Sequence, residues 1–180
     1  MRERHFSLYA MARIGGAVYL AQALGCVACG RISDRVLARG ASQTRVRKGF
    51  IAGSLFSTGS CLFAAVLAGP RTSVALLILV GFTYGLYLST QWPCTQTLAG
   101  PKAAGRWTGL QCFFGNLSGV VAPAVAGVLV NRTGHFVYAF AFTTGVTYLA
   151  ALLWLFVVGK IEPIQWPDRQ NTFSTATLVE

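Results

Sequence analysis

The side chains able to do chemistry are few and fall in two short stretches: Ser89, Gln91 and Trp92, then Gln111, Cys112, Asn116 and Ser118. Amides and hydroxyls of this kind can hold a polar solute by hydrogen bonds or tie one helix to another. Ser89 with Trp92, and Cys112 with Asn116, are spaced so that each pair shares one face of a helix. All five acidic residues, Glu3, Asp34, Glu162, Asp168 and Glu180, lie outside the long charge-free runs. A proton or sodium relay built on an intramembrane carboxylate therefore has no candidate in this chain. His5 and His135 are isolated from other ligand types. No nucleophile with its base and orienting group, no phosphate loop and no metal spacing is visible, so neither an enzyme nor a cofactor is expected. Cys26 and Cys29 form a CxxC, but without a βαβ context, a second CxxC or a nearby His they read as packing residues.

The elements that must position these groups are set by where charge is absent. The 180 residues are 54% hydrophobic and 11% charged, against roughly a quarter charged in soluble domains. Charge-free runs cover 14–30, 49–70, 72–101, 107–131 and 136–159. All but the first exceed the roughly 20 apolar residues that cross a 30 Å hydrocarbon core, and the first is completed by Arg13 reaching back to the headgroups. Barrel strands would alternate apolar and polar residues, and these runs do not. The reading is an all-α membrane protein with about five transmembrane helices, at about 14–30, 49–69, 72–93, 107–130 and 136–158. Residues 1–164 form one helix bundle, and 165–180 form a polar tail expected to be disordered.

A net charge of +10 could suggest nucleic acid, but its distribution excludes that partner. Arg31, Arg35, Arg39, Arg45, Arg47 and Lys48 lie between the first two spans, and Lys102 and Arg106 between the third and fourth, whereas the alternate connections hold only Arg71 and Arg132. Lys and Arg accumulate on the cytoplasmic side of a membrane, so residues 31–48, 102–106 and the C-terminal tail are expected there. An odd number of spans starting outside suggests that an upstream part is missing.

Two glycine pairs, Gly81 with Gly85 and Gly115 with Gly119, leave grooves in which another helix can approach closely. Pro123 should kink the fourth span. An unpaired amide in hydrocarbon is costly, so Gln91, Gln111 and Asn116 must face either other helices or a wet cavity; the sequence leaves both readings open.

Residues 30–40, Gly-Arg-Ile-Ser-Asp-Arg-Val-Leu-Ala-Arg-Gly, resemble the GxxxDR signature loop between the eighth and ninth helices of the major facilitator superfamily. In that reading Gly30 ends the helix, and Asp34 and Arg35 act at the inner gate. Residues 99–111, Ala-Gly-Pro-Lys-Ala-Ala-Gly-Arg-Trp-Thr-Gly-Leu-Gln, with Gly115-Asn116-Leu117-Ser118-Gly119, resemble the tenth-to-eleventh connection and eleventh helix of its anion:cation symporter family. Residues 158–163 resemble that family's C-terminal boundary.

The resemblance runs from about residue 6 to 166. It implies helices eight to twelve of a twelve-helix secondary transporter in a bacterial inner membrane, with the C-terminus cytoplasmic. Helix seven, the N-terminal half and the proton-coupling carboxylates would then lie outside this sequence. Carried over by position, the substrate-binding residues are Ser89, Gln91, Trp92, Cys112 and Asn116. Cys112 departs from relatives, which commonly place an Asn there, and a thiol lacks the two-sided hydrogen bonding of an amide.

The function expected is part of a proton-coupled transporter of an organic anion, a sugar acid such as galactonate or a hexuronate. Alone it should be inactive, needing the N-terminal half or a second copy. The alternative is a membrane-embedded interaction or scaffold protein derived from a transporter half.

Overall fold

A computed structural model of the chain describes residues 8–166. Among them the backbone forms four helices, α1 (Leu8–Ala38), α2 (Gln43–Leu67), α3 (Pro70–Thr133) and α4 (Phe136–Phe156), and no strand. Each is long and apolar enough to cross a membrane. Most large apolar side chains point outward, among them Tyr19 and Val120, both more than two-thirds exposed. That surface suits lipid as the surrounding solvent.

Two boundaries correct the sequence reading. Gly30 does not end the first helix, because α1 continues to Ala38 and stops where Gly40 takes φ 85 with its N–H on the Leu37 carbonyl. A glycine inside a helix costs only about 1 kcal/mol, and residues 31–39 contain no other breaker. The signature stretch is thus helix, with Asp34 and Arg35 exposed on its last turns.

The second correction concerns the stretch between 93 and 107, which is not a loop. At 64 residues, α3 would be on the order of 95 Å long if straight, about three times the hydrocarbon core. It is broken at one residue, Gly100, with φ 67 and ψ 172. This conformation favours glycine, and the following Pro101 offers no N–H to continue the ladder. A first arm (70–99) and a second arm (101–133) result, so four helices make five apolar rods. Gly100 is the residue with non-helical dihedrals; Pro93 and Pro123 sit within helical ones.

The first arm of α3 is the centre of the bundle. Its Gly81 and Gly85 lie against the α1 backbone at Val18 and Gln22, while Gly25 of α1 meets the Phe82 carbonyl. On its other side α2 joins it through a 2.8 Å hydrogen bond between the Thr58 and Thr83 hydroxyls. Against α4, α2 places Gly59 under the Tyr148 ring, and Thr144 donates to the Gly59 carbonyl at 3.3 Å. Ile51 and Leu55 of α2, Cys94 of α3, Ala151 of α4 and Ile161 beyond α4 form the buried core. By contrast the second arm of α3 is exposed along most of its length, and nothing lies within 4 Å of the Cβ positions at Gly115 and Gly119.

Candidate functional site

Asp34, Arg47 and Ser89 come from three different helices and line one small polar cleft, together with Cys29, Gly30, Ser33, Leu37, Thr90 and Pro93. Each is brought there by helix geometry. The glycine contacts draw α1 onto the first arm of α3, which seats Cys29 against Thr90 with a 3.2 Å Sγ to Oγ1 contact. One turn further along α1 come Ser33 and Asp34. Arg47, in the first turns of α2, is half-buried and donates from Nη1 to the Thr97 hydroxyl at 3.3 Å. The cleft measures about 80 Å³, well below the roughly 300–1,000 Å³ of ordinary ligand sites. It can accept a single carboxylate-sized group beside the Arg47 guanidinium or a few waters, but it cannot enclose a sugar acid.

Ser89 is the only one of the five substrate-binding candidates that lines this cleft, in company with Gly30 and Asp34 of the signature stretch. Its hydroxyl donates to the Leu86 carbonyl at 3.1 Å. Gln91 and Trp92 are half-buried on the same arm but do not line it, and Arg35 is exposed outside it. Cys112 and Asn116 lie on the second arm, both exposed, with Asn116 Nδ2 donating to the Cys112 carbonyl at 2.8 Å. Of the first-arm and second-arm candidates, this cleft therefore takes in Ser89 alone. On the second arm, Gln111 carries a buried Oε1 with no hydrogen-bond partner.

Sequence reasoning missed Arg47, Cys29 and Thr90. Arg47 counted only as one positive charge of a cytoplasmic connection. The available signal was its place within one helical turn of the apolar run that starts at Gly49, where only Lys48 stands between it and the membrane. The CxxC thiols have separate partners, Cys29 at Thr90 and Cys26 donating to the Gly85 carbonyl at 3.2 Å. Both serve the α1 to α3 contact.

Among the described residues, the basic α1–α2 connection, the Gly100 break and the segment after α4 meet at one end of the bundle. The Ile161 N–H donates to Thr44 Oγ1 at 3.2 Å, Lys48 Nζ to the Val158 and Leu155 carbonyls, and Trp166 Nε1 to the Ala99 carbonyl at 2.7 Å. These bonds draw the α1–α2 turn, the Gly100 break and the segment after α4 together. Trp166 is held in place, whereas disorder was expected from about residue 165; the rest of that tail lies outside the described residues.

The Major Facilitator Superfamily model matches residues 1–180. The chain is 28% identical over 165 residues to the hexuronate transporter of Bacillus subtilis (strain 168), covering 90% of this chain and 38% of that protein. It is 27% identical over 166 residues to a probable galactarate/D-glucarate transporter of Escherichia coli (strain K12), covering 92% and 37%. To a probable sulfoacetate transporter of Cupriavidus necator it is 29% identical over 172 residues, covering 93% and 39%. The chain thus spans under two-fifths of the length of these relatives.

Proposed function

The chain is an integral membrane protein of the major facilitator superfamily, and from that premise we propose that it forms one wall of a transport pathway for an organic anion. The observation that carries this reading is the exposed pair Cys112 and Asn116 on the second arm of α3. A primary amide facing hydrocarbon is unfavourable, so this face is turned toward a wet cavity. The facing wall comes from an N-terminal half or a second copy of the chain.

The relatives named above carry hexuronate, galactarate/D-glucarate and sulfoacetate in their names. The property these solutes share is a small, oxygen-rich anion, and a sugar acid is the solute we assign. Arg47 supplies a cation beside Ser89 at the basic end of the path, while Ser89, Gln91, Trp92 and Asn116 offer neutral hydrogen bonds. Proton coupling requires a carboxylate within the membrane, and among the described residues the acids Asp34 and Glu162 are both exposed and lie at the basic end. The coupling group therefore belongs to the facing wall.

Proteoliposomes containing this chain alone should show no galactonate or glucuronate uptake above empty vesicles under an inward proton gradient. Supplying the N-terminal half of a sugar-acid relative together with its helix seven should restore saturable uptake. Saturable uptake by the chain alone would refute the need for a separate half and point to a homodimer. Failure of every half to restore uptake would favour the second reading, a membrane scaffold. That alternative draws support from the open glycine face at Gly115 and Gly119, which fits a partner helix without any transport.

A further inference from the structure

At the break at Gly100, carbonyls that end the first arm take donors from a distant segment. A helix leaves its last carbonyls without partners, and a following left-handed glycine commonly supplies the donors. Gly100 has positive φ, but ψ 172 turns the chain away, and Pro101 has no N–H. The donors come instead from beyond α4. Ile164 N–H donates to the Leu98 carbonyl at 2.9 Å and Trp166 Nε1 to the Ala99 carbonyl at 2.7 Å. Pro163 and Ile164 are also the residues nearest the Cβ position of Gly100, at 3.7 and 3.9 Å. The segment is anchored upstream, where Ile161 is 3% exposed within the core and bonded to Thr44, and where Lys48 holds the Val158 carbonyl.

We infer that residues 158–166 are a latch that sets the angle between the two arms of α3. Glycine tolerates a wide range of φ and ψ, so the backbone at residue 100 does not by itself choose one angle. The choice falls to whatever satisfies the carbonyls that end the first arm and packs on Gly100 itself, which is the segment 158–166. Ile164 and Trp166 are themselves exposed whereas Ile161 is buried, and a hydrogen bond that water takes over once its donor leaves is worth little net, so Ile164–Trp166 can lift while Ile161 stays seated. Lifting frees the second arm, which carries Cys112 and Asn116, to swing relative to the first, which carries Ser89. The latch stands independently of any transport; only its consequence for those site residues rests on the transport reading. Ile164 and Trp166 are on this view positioning residues, acting through Leu98 and Ala99.

Nitroxide labels at Leu79→Cys and Val120→Cys, exposed sites on opposite arms, report the angle by pulsed electron resonance in nanodiscs, in a background lacking other thiols. The parent chain and a chain ending at Trp166 should give the same single distance. Trp166→Phe, which keeps a ring and removes the donor, should broaden it. A chain ending at Glu162, which keeps the Ile161 anchor, should add a second, shifted population. Alkylation of Cys94 in the otherwise native chain provides an independent reading. It should remain slow in Trp166→Phe, because Ile161 still covers the thiol, and rise several-fold in Ile161→Ala. A distance distribution unchanged in both Trp166→Phe and the chain ending at Glu162 overturns the latch, as does a change already present in the chain ending at Trp166. Because these measurements involve no substrate, absent uptake with an intact angle response counts against the transport reading alone.

Discussion

Substituting Gly85 by Ala tests whether α1 and the first arm of α3 meet backbone to backbone. A Cβ at Gly85 would fall on the Gln22 carbonyl and stand 3.0 Å from the Cys26 amide nitrogen. Both obstructing atoms belong to the main chain of α1, which cannot rotate aside as a side chain would. The two helices would have to separate, weakening the Cys26 to Gly85 and Cys29 to Thr90 contacts beyond. Overpacking of this kind costs about 1–3 kcal/mol, offset by about 1 kcal/mol from replacing a helical glycine with alanine. The net expectation is a loss of up to about 2 kcal/mol. Gly119 provides the matched control, since nothing lies within 4 Å of its Cβ position. Gly119→Ala should be neutral or stabilising by up to about 1 kcal/mol. Reversible unfolding in mixed micelles, followed by far-ultraviolet circular dichroism, measures both. The two variants should differ by about 1–3 kcal/mol, roughly five- to 150-fold in the unfolding equilibrium. Equal tolerance of the two alanines would refute the close approach of α1 and α3.

Asn116→Ala should leave folding within about 1 kcal/mol of the parent, because the amide bonds its own helix and membrane hydrogen bonds average about 0.6 kcal/mol. In the assembled transporter it should weaken anion affinity several-fold, and unchanged affinity by binding calorimetry would remove Asn116 from the site. Thr58→Val deletes the bond to Thr83, whose hydroxyl retains the Leu79 and Val80 carbonyls. A stability loss near the lower end of about 0.6–1.7 kcal/mol is expected in the same unfolding assay. For topology, single cysteines at Gln43 and Thr133 in intact cells should be, respectively, protected from and labelled by an impermeant thiol reagent. The reverse pattern would invert the orientation. Among the native thiols, exposed Cys112 should be alkylated before buried Cys29 and Cys94, and mass spectrometry of partially modified protein reads the order.

How much of this molecule was legible beforehand depends on the range of the interaction concerned. That the chain crosses a membrane as helices follows from composition and from the spacing of charges. Both act residue by residue through transfer into lipid, whatever the helices then pack against. The alternation of basic and neutral connections is equally local, and the bonds among Thr44, Ile161, Ala99 and Trp166 gather the basic segments at one end. The resemblance in residues 30–40 and 99–119 led to the superfamily that the full-length family match establishes.

Other features depended on partners distant in sequence. Two glycine pairs with the same spacing had opposite fates. Gly81 and Gly85 receive α1, while Gly115 and Gly119 remain open, because the motif makes a groove without specifying what fills it. Gly30 looked like a helix end and is not one, since the next eight residues suit a helix and α1 runs on to Ala38. Arg47 became a cleft residue only when α1 and α3 closed around it. The polar tail changed in the same way: Trp166 reads as part of a disordered tail until the Ala99 carbonyl beside the break at Gly100 gives its indole a partner. Local sequence thus determined which segments are helices in lipid. Only the tertiary structure decided which of their small and polar faces are satisfied, because a groove or an orphan carbonyl acquires meaning from whatever distant segment comes to occupy it.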